Sequence, residues 1–236
     1  MEHAPDSRVN RILNDYQLEE MLWSEKSWNR IRKDEMIPEK YVWRHRVQYA
    51  VSHAVNQYYT LLPEVRREVS IPYLLEKRWP RQISDFDSAD HYWHVKSQVT
   101  DELTRVLSQR AEFLYPTLLF EELSIFVPEL QMDLSVIFQA TWQLDTNAAT
   151  QLTIHKYMVS YHPEVIKAYQ HLATVFCVHA FGELPYSIEV DCLMEGKKET
   201  YVPNDEDYFL ALDYIKLASP LCSSEGRTKE SISLVL

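Results

Sequence analysis

The spacing of apolar residues changes character near Pro116. Before it the periodicity is helical. Ile12, Leu13, Tyr16, Met21, Leu22 and Trp23 predict one or two short helices between Val9 and about Lys33. Val47, Val51, Ala54, Val55 and Tyr58 form one stripe of an amphipathic helix over Val42–Leu62. Pro63, Pro72 and Pro80 interrupt the chain and predict a loop with a short helix over 63–83. The run Ser84-Asp-Phe-Asp-Ser88 supplies N-cap chemistry for a long helix reaching about Glu112.

After Pro116 the pattern becomes that of strands. Leu118–Phe126 and Met132–Leu144 are rich in Leu, Ile, Val and Phe with partial alternation, and Pro128 separates them. Asp145-Thr-Asn147 signals a turn, from which Gln151–Tyr161 returns as a further strand. Pro163 and Glu164 suit the first turn of a helix that Gly182 stops. Tyr186–Met194 and Lys197–Val202 form a hairpin around Glu195-Gly196, and Asn204 caps a last helix to about Ala218. The expected class is α+β (mixed α/β), with a central sheet of about five strands flanked by helices. The expected organisation is a helical N-terminal lobe over 1–115, an α/β core over 116–218 and a flexible Ser-rich tail over 219–236.

Composition narrows the chemistry. Three glycines, Gly182, Gly196 and Gly226, cannot build the Gly-rich phosphate cradles of a P-loop or a dinucleotide-binding turn. Three scattered cysteines give neither a disulfide framework nor a four-Cys metal site, and Cys177 sits in an apolar helical run as a core residue. No apolar run is long enough to span a bilayer, and the first residues resemble no export signal, so a cytoplasmic protein without a membrane partner is expected. Net charge is −11 and unevenly placed: residues 1–100 carry 15 Lys+Arg against 15 Asp+Glu, residues 101–236 carry 9 against 20. Any DNA contact therefore falls to the N-terminal half, around Lys26–Lys33, Arg44–Arg46, Arg66–Arg67 and Lys77–Arg81. Solvated helix faces account for the same clusters.

The strands carry the candidate site. Ile154 and Lys156 share a face of one strand, while His155 points the other way. Metal-dependent phosphodiester cleavage needs at least two carboxylates for the cation and profits from a lysine that orients water. Asp133 and Lys156 supply one acid and the lysine, and Glu121 or Glu122 is the candidate second acid. Against this stands the plainer alternative of a half-buried acid and a solvent-facing lysine. His91 and His94 have metal-compatible spacing but no third ligand nearby, which suits a surface pair.

This order of segments resembles the RecB-type exonucleases of the PD-(D/E)XK nuclease superfamily, over about Ile12–Ala218. Val9–Trp28 looks like the family's opening segment, and Gln48-Tyr-Ala-Val51-Ser52 before Tyr58-Tyr59 is similar to its Val-His helix. Gln131-Met132-Asp133 corresponds to its Gly-x-hydrophobic-Asp strand, and Ile154-His155-Lys156 to its Asp-x-Lys strand. Its Gln-x-x-x-Tyr helix falls near His171–Val175, and Tyr186 through Val202-Pro203 looks like its closing hairpin. The resemblance implies a nuclease-like fold and Mg²⁺- or Mn²⁺-dependent DNA cleavage where the ligands are kept. Here Ser52 stands for the histidine and Ile154 for the second acid, leaving Asp133 and Lys156 as remnants.

The expectation is a catalytically degenerate binding or assembly subunit in DNA processing, repair or defence. It needs no cofactor, and its partner is a protein such as a helicase or another DNA-processing subunit. Two alternatives remain open: an active exonuclease with a migrated site, and a protein-interaction module that binds no nucleic acid.

Overall fold

A computed structural model describes residues 11–31, 42–109, 115–145 and 150–223. It is a mixed α+β protein whose sheet has six strands. In chain order the elements are β1 (Ile12–Asn14), α1 (Asp15–Ile31), α2 (Val42–Thr60), α3 (Pro63–Arg66), α4 (Ile71–Glu76) and α5 (Ala89–Gln109). They continue with β2 (Leu118–Val127), β3 (Met132–Asp145), β4 (Thr150–Met158), α6 (Pro163–Phe181), β5 (Ser187–Cys192), β6 (Lys197–Tyr201) and α7 (Asp205–Ser223).

Local chemistry sets the ends of the later helices. The Ser88 hydroxyl accepts the His91 N–H at the start of α5. Asn204 accepts the N–H groups of Glu206 and Asp207 and donates its own N–H to the Asp207 carboxylate, closing a reciprocal cap on α7. His162 Nδ1 accepts the Val165 N–H ahead of Pro163, and α6 stops at Gly182, whose φ of 79° is left-handed. Arg66 is buried and donates to the Tyr59 and Leu61 carbonyls, which satisfies the end of α2.

β2, β3 and β4 form an antiparallel meander, α6 crosses over to β5 parallel to β4, and β6 returns antiparallel. β3 is shared in an unusual way. β2 runs along one of its edges, while the other edge holds β1 in parallel at Asp133–Ser135 and β4 from Ala140 onward. β1 thus takes part of the region expected to be helical into the sheet.

Helices α1, α6 and α7 cover one face, where Leu134, Val136, Phe138, Ile154 and Ile188 pack against Leu172, Phe176 and Ile215. The other face carries Ala140, Trp142, Tyr157 and Val159 under α2, α4 and α5. Strict alternation would keep Phe138 and Ala140 on one side. They differ because the ladder is broken at Phe120, whose φ is 52°, opposite Gln139. Gln139 Oε1 accepts the Tyr157 N–H at 2.7 Å, so a side chain carries a hydrogen bond that a regular ladder would supply from the backbone.

Candidate functional site

Lys156 lies on the α1 and α6 side of β4 and is 6% exposed. Its Nζ is 3.2 Å from Glu19 Oε2 and 3.7 Å from Asp15 Oδ2, both on α1, and 4.1 Å from the centre of the Tyr169 ring on α6. The chain places this acid pair by topology. β1 leaves β3 at Asn14, and α1 begins in the gap before β4, so the Asp15 carboxylate reaches the Ile137 and Tyr16 N–H groups.

Burial pulls the Lys156 pKa down, and Glu19 and Asp15 more than reverse this, leaving it above the ordinary lysine value. Burial raises the Asp15 pKa above the ordinary aspartate value despite the attraction of Lys156, and Glu19 pushes the same way. Two acids share one lysine, so the deeper acid holds its proton more tightly. The lysine is neither solvent-facing nor available to orient a water. It is a buried counter-ion.

The sequence candidates do not converge. Leu134 packs on the α6 side, so its neighbour Asp133 points to the opposite face from Lys156. Asp133 is level with Phe126 of β2, whereas Glu122 is level with Ile137, four positions along the strand, or about 13 Å. Glu122 instead accepts the Ser135 hydroxyl at 2.8 Å. Glu121 is level with Phe138 and faces away from Asp133. Ser52 lies on α2, across the sheet from Lys156. Among the described residues, no group of three or more His, Cys, Asp or Glu side chains is arranged to hold a metal ion.

On the α2 side, β4 presents His155 and Tyr157, with their rings stacked at 4.4 Å. His155 Nε2 lies 2.5 Å from Asp191 Oδ2, and Nδ1 lies 3.6 Å from Glu189 Oε2. Lys198 pairs with Glu189 at 3.1 Å, and Tyr157 meets Tyr59 hydroxyl to hydroxyl at 3.1 Å. His155 is 0% exposed, so this network braces β4 against β5 and does not open to a substrate. Sequence reasoning missed it. The available signal was Glu189 and Asp191, two acids at strand spacing in the otherwise apolar run Ser187–Cys192. Asp15 and Glu19 were missed because nothing local ties α1 to Lys156.

The basic clusters divide as well. Arg66 is buried, Arg46 pairs with Asp85 and Arg44 lies over the Trp23 ring. Lys77, Arg78 and Arg81 remain exposed. The side chains of Lys26–Lys33 fall outside the described residues, as do those of the Asp145-Thr-Asn147 turn and of the tail beyond 219. Burial raises Cys177 far above the thiol range, as a core cysteine requires, and His91 pairs with Asp87 at the start of α5.

No protein-family model matches the chain, and no curated protein matches it. Among the described residues no helix is long and apolar enough to cross a membrane.

Proposed function

We propose that this chain is a catalytically degenerate PD-(D/E)XK nuclease-like protein, serving as a binding or assembly subunit in DNA processing, repair or defence. The observation that carries this reading is the fate of Lys156. It is neutralised by Glu19 and Asp15 beneath α1, on the face of the sheet opposite Asp133 and the helix that bears Ser52. A lysine held under α1 cannot orient water for a cation at Asp133 on the other face, and the strand positions that do face α2 are His155 and Tyr157.

The meander of three strands, the crossover helix, the parallel strand and the closing hairpin follow the order the resemblance implies. Lys77 over the exposed Tyr73, with Arg78 and Arg81 also exposed, leaves aromatic and basic groups together in the N-terminal half, which suits a DNA contact there.

Purified protein incubated with linear single- and double-stranded DNA in Mg²⁺ or Mn²⁺ should cleave no faster than its Asp133→Ala and Lys156→Met variants. Strong cleavage abolished by Asp133→Ala would overturn the reading.

A further inference from the structure

The two long edges of the sheet are built differently. β6 spans Lys197–Tyr201 and carries Lys197 and Lys198, with Pro203 just beyond. A short strand with lysines is how a sheet blunts an edge against pairing. β2 spans ten residues, Leu118–Val127, without a lysine, arginine or proline. One edge pairs with β3, and among the described residues no strand pairs with the other. The left-handed Phe120 interrupts only its start, so Glu121–Val127 keeps a regular edge of backbone donors and acceptors.

The side chains along this edge define what would fit. On one face Phe126 is 44% exposed and level with Asp133, which is itself level with Ile12 of β1 at 49% exposed. Tyr16 is as exposed as Ile12, and its pKa is raised by burial and by the charges of Glu122, Asp15 and Glu20. On the other face Leu123 and Ile125 are partly buried at the margin of the core. Glu121 and Glu122 are exposed at one end of the regular stretch, one on each face, with Glu122 also accepting the Ser135 hydroxyl.

We infer that β2 is a docking edge for an extended segment of a partner protein, which adds a seventh strand. Its apolar residues lie beside Leu123–Phe126 and its basic residues beside Glu121 and Glu122. Backbone pairing supplies the attachment, and alternate side chains supply the choice of partner. A second copy of this chain is a poor occupant, because it brings the same two acids and a net charge of −11 to the same edge. The inference rests on the reading of the chain as an assembly subunit and names the chemistry of its partner.

The probe is a short capped peptide of alternating Val and Thr with two lysines at one end, made with the lysines at either terminus. Binding is read by fluorescence anisotropy, and the contact by amide hydrogen exchange on the full chain. One lysine arrangement should bind and slow exchange within 121–127. Peptides N-methylated on alternate amides should divide by parity, one set binding and the other not. A peptide with Glu in place of Lys should bind weakly, and the Glu121→Lys, Glu122→Lys double variant should reverse that preference.

The proposal is overturned if both N-methylated sets bind alike, if protection falls elsewhere, or if neither lysine arrangement binds. It is also overturned if the outward-facing β2 amides, the alternate set that does not bond to β3, are already protected in the protein alone, which would mean that the chain's own segments or a second copy occupy the edge. Because DNA cleavage is measured separately, loss of peptide binding in an inactive protein removes the docking edge and leaves the proposed function standing.

Discussion

Lys156 Nζ on β4 stands 3.2 Å from Glu19 Oε2 on α1, so a side chain from the first helix neutralises one from the third strand of the meander. This relationship makes the lysine a structural group, and its removal should be felt in stability. Lys156→Met leaves a buried carboxylate without its cation and should cost about 3 kcal/mol. Glu19→Gln, at a partly exposed acid, should cost no more than about 1 kcal/mol. Urea titrations of the two variants check the ranking, and equal losses would contradict it.

The same cluster sets a pH dependence. Lys156 is pulled down by burial but held above its unfolded value, about 10.4, by Glu19 and Asp15. Its stabilisation is therefore complete below that pH and is lost as pH rises through the folded value. Asp15, raised by burial, has the same sign in the acid range: its contribution is present below about 3.9 and fades as pH rises through the folded value. Tyr169 and Cys177, also raised by burial, add to the alkaline loss. The urea midpoint should begin to fall above about pH 8.5 as the thiol titrates, and above about pH 10.4 the fall should be shallower in Lys156→Met. An unchanged slope in that variant would remove Lys156 from the account.

Gln48 joins the helical layer to the sheet. Its amide donates to the Tyr157 carbonyl at 2.8 Å and accepts the Val159 N–H at 3.0 Å, where β4 runs out. Gln48→Leu strands both backbone groups and should cost about 2 kcal/mol. Amide exchange should quicken at Val159 before it does in the middle of β4.

His155 and Asp191 should be coupled. His155→Phe preserves a ring against Tyr157 but takes the imidazole from Asp191, which is 3% exposed, and should cost about 2 kcal/mol. Adding Asp191→Asn should recover part of that loss. A double-mutant cycle showing coupling of at least about 0.5 kcal/mol supports the pair, and simple additivity would refute it.

Much of the fold could be read along the chain because its signals are local. Pro163 and Gly182 bracket α6, Asn204 caps α7, Gly196 turns the last hairpin with a φ of 59°, and the expected strands fall within a few residues of β2 to β6. What could not be read depends on partners far away in sequence. Ile12–Asn14 is too short to announce itself as a strand and becomes one only because β3 offers an edge.

The face of Lys156 was predictable relative to Ile154, but which helices lie on that face was not. The switch between Phe138 and Ala140 defeats any alternation counted from Asp133 to Trp142. A site inferred by placing Asp133 beside Lys156 therefore fails for a geometric reason.

The shared edge of β3 has a consequence for synthesis. Ile12 pairs with Asp133, roughly 120 residues later, so during synthesis β1 has no neighbour in the sheet until that intervening stretch has followed it. Until then α1 cannot bring Glu19 to Lys156, and its apolar face stays open. The nascent chain is expected to need shelter through that interval, and its assembly step should be late and slow.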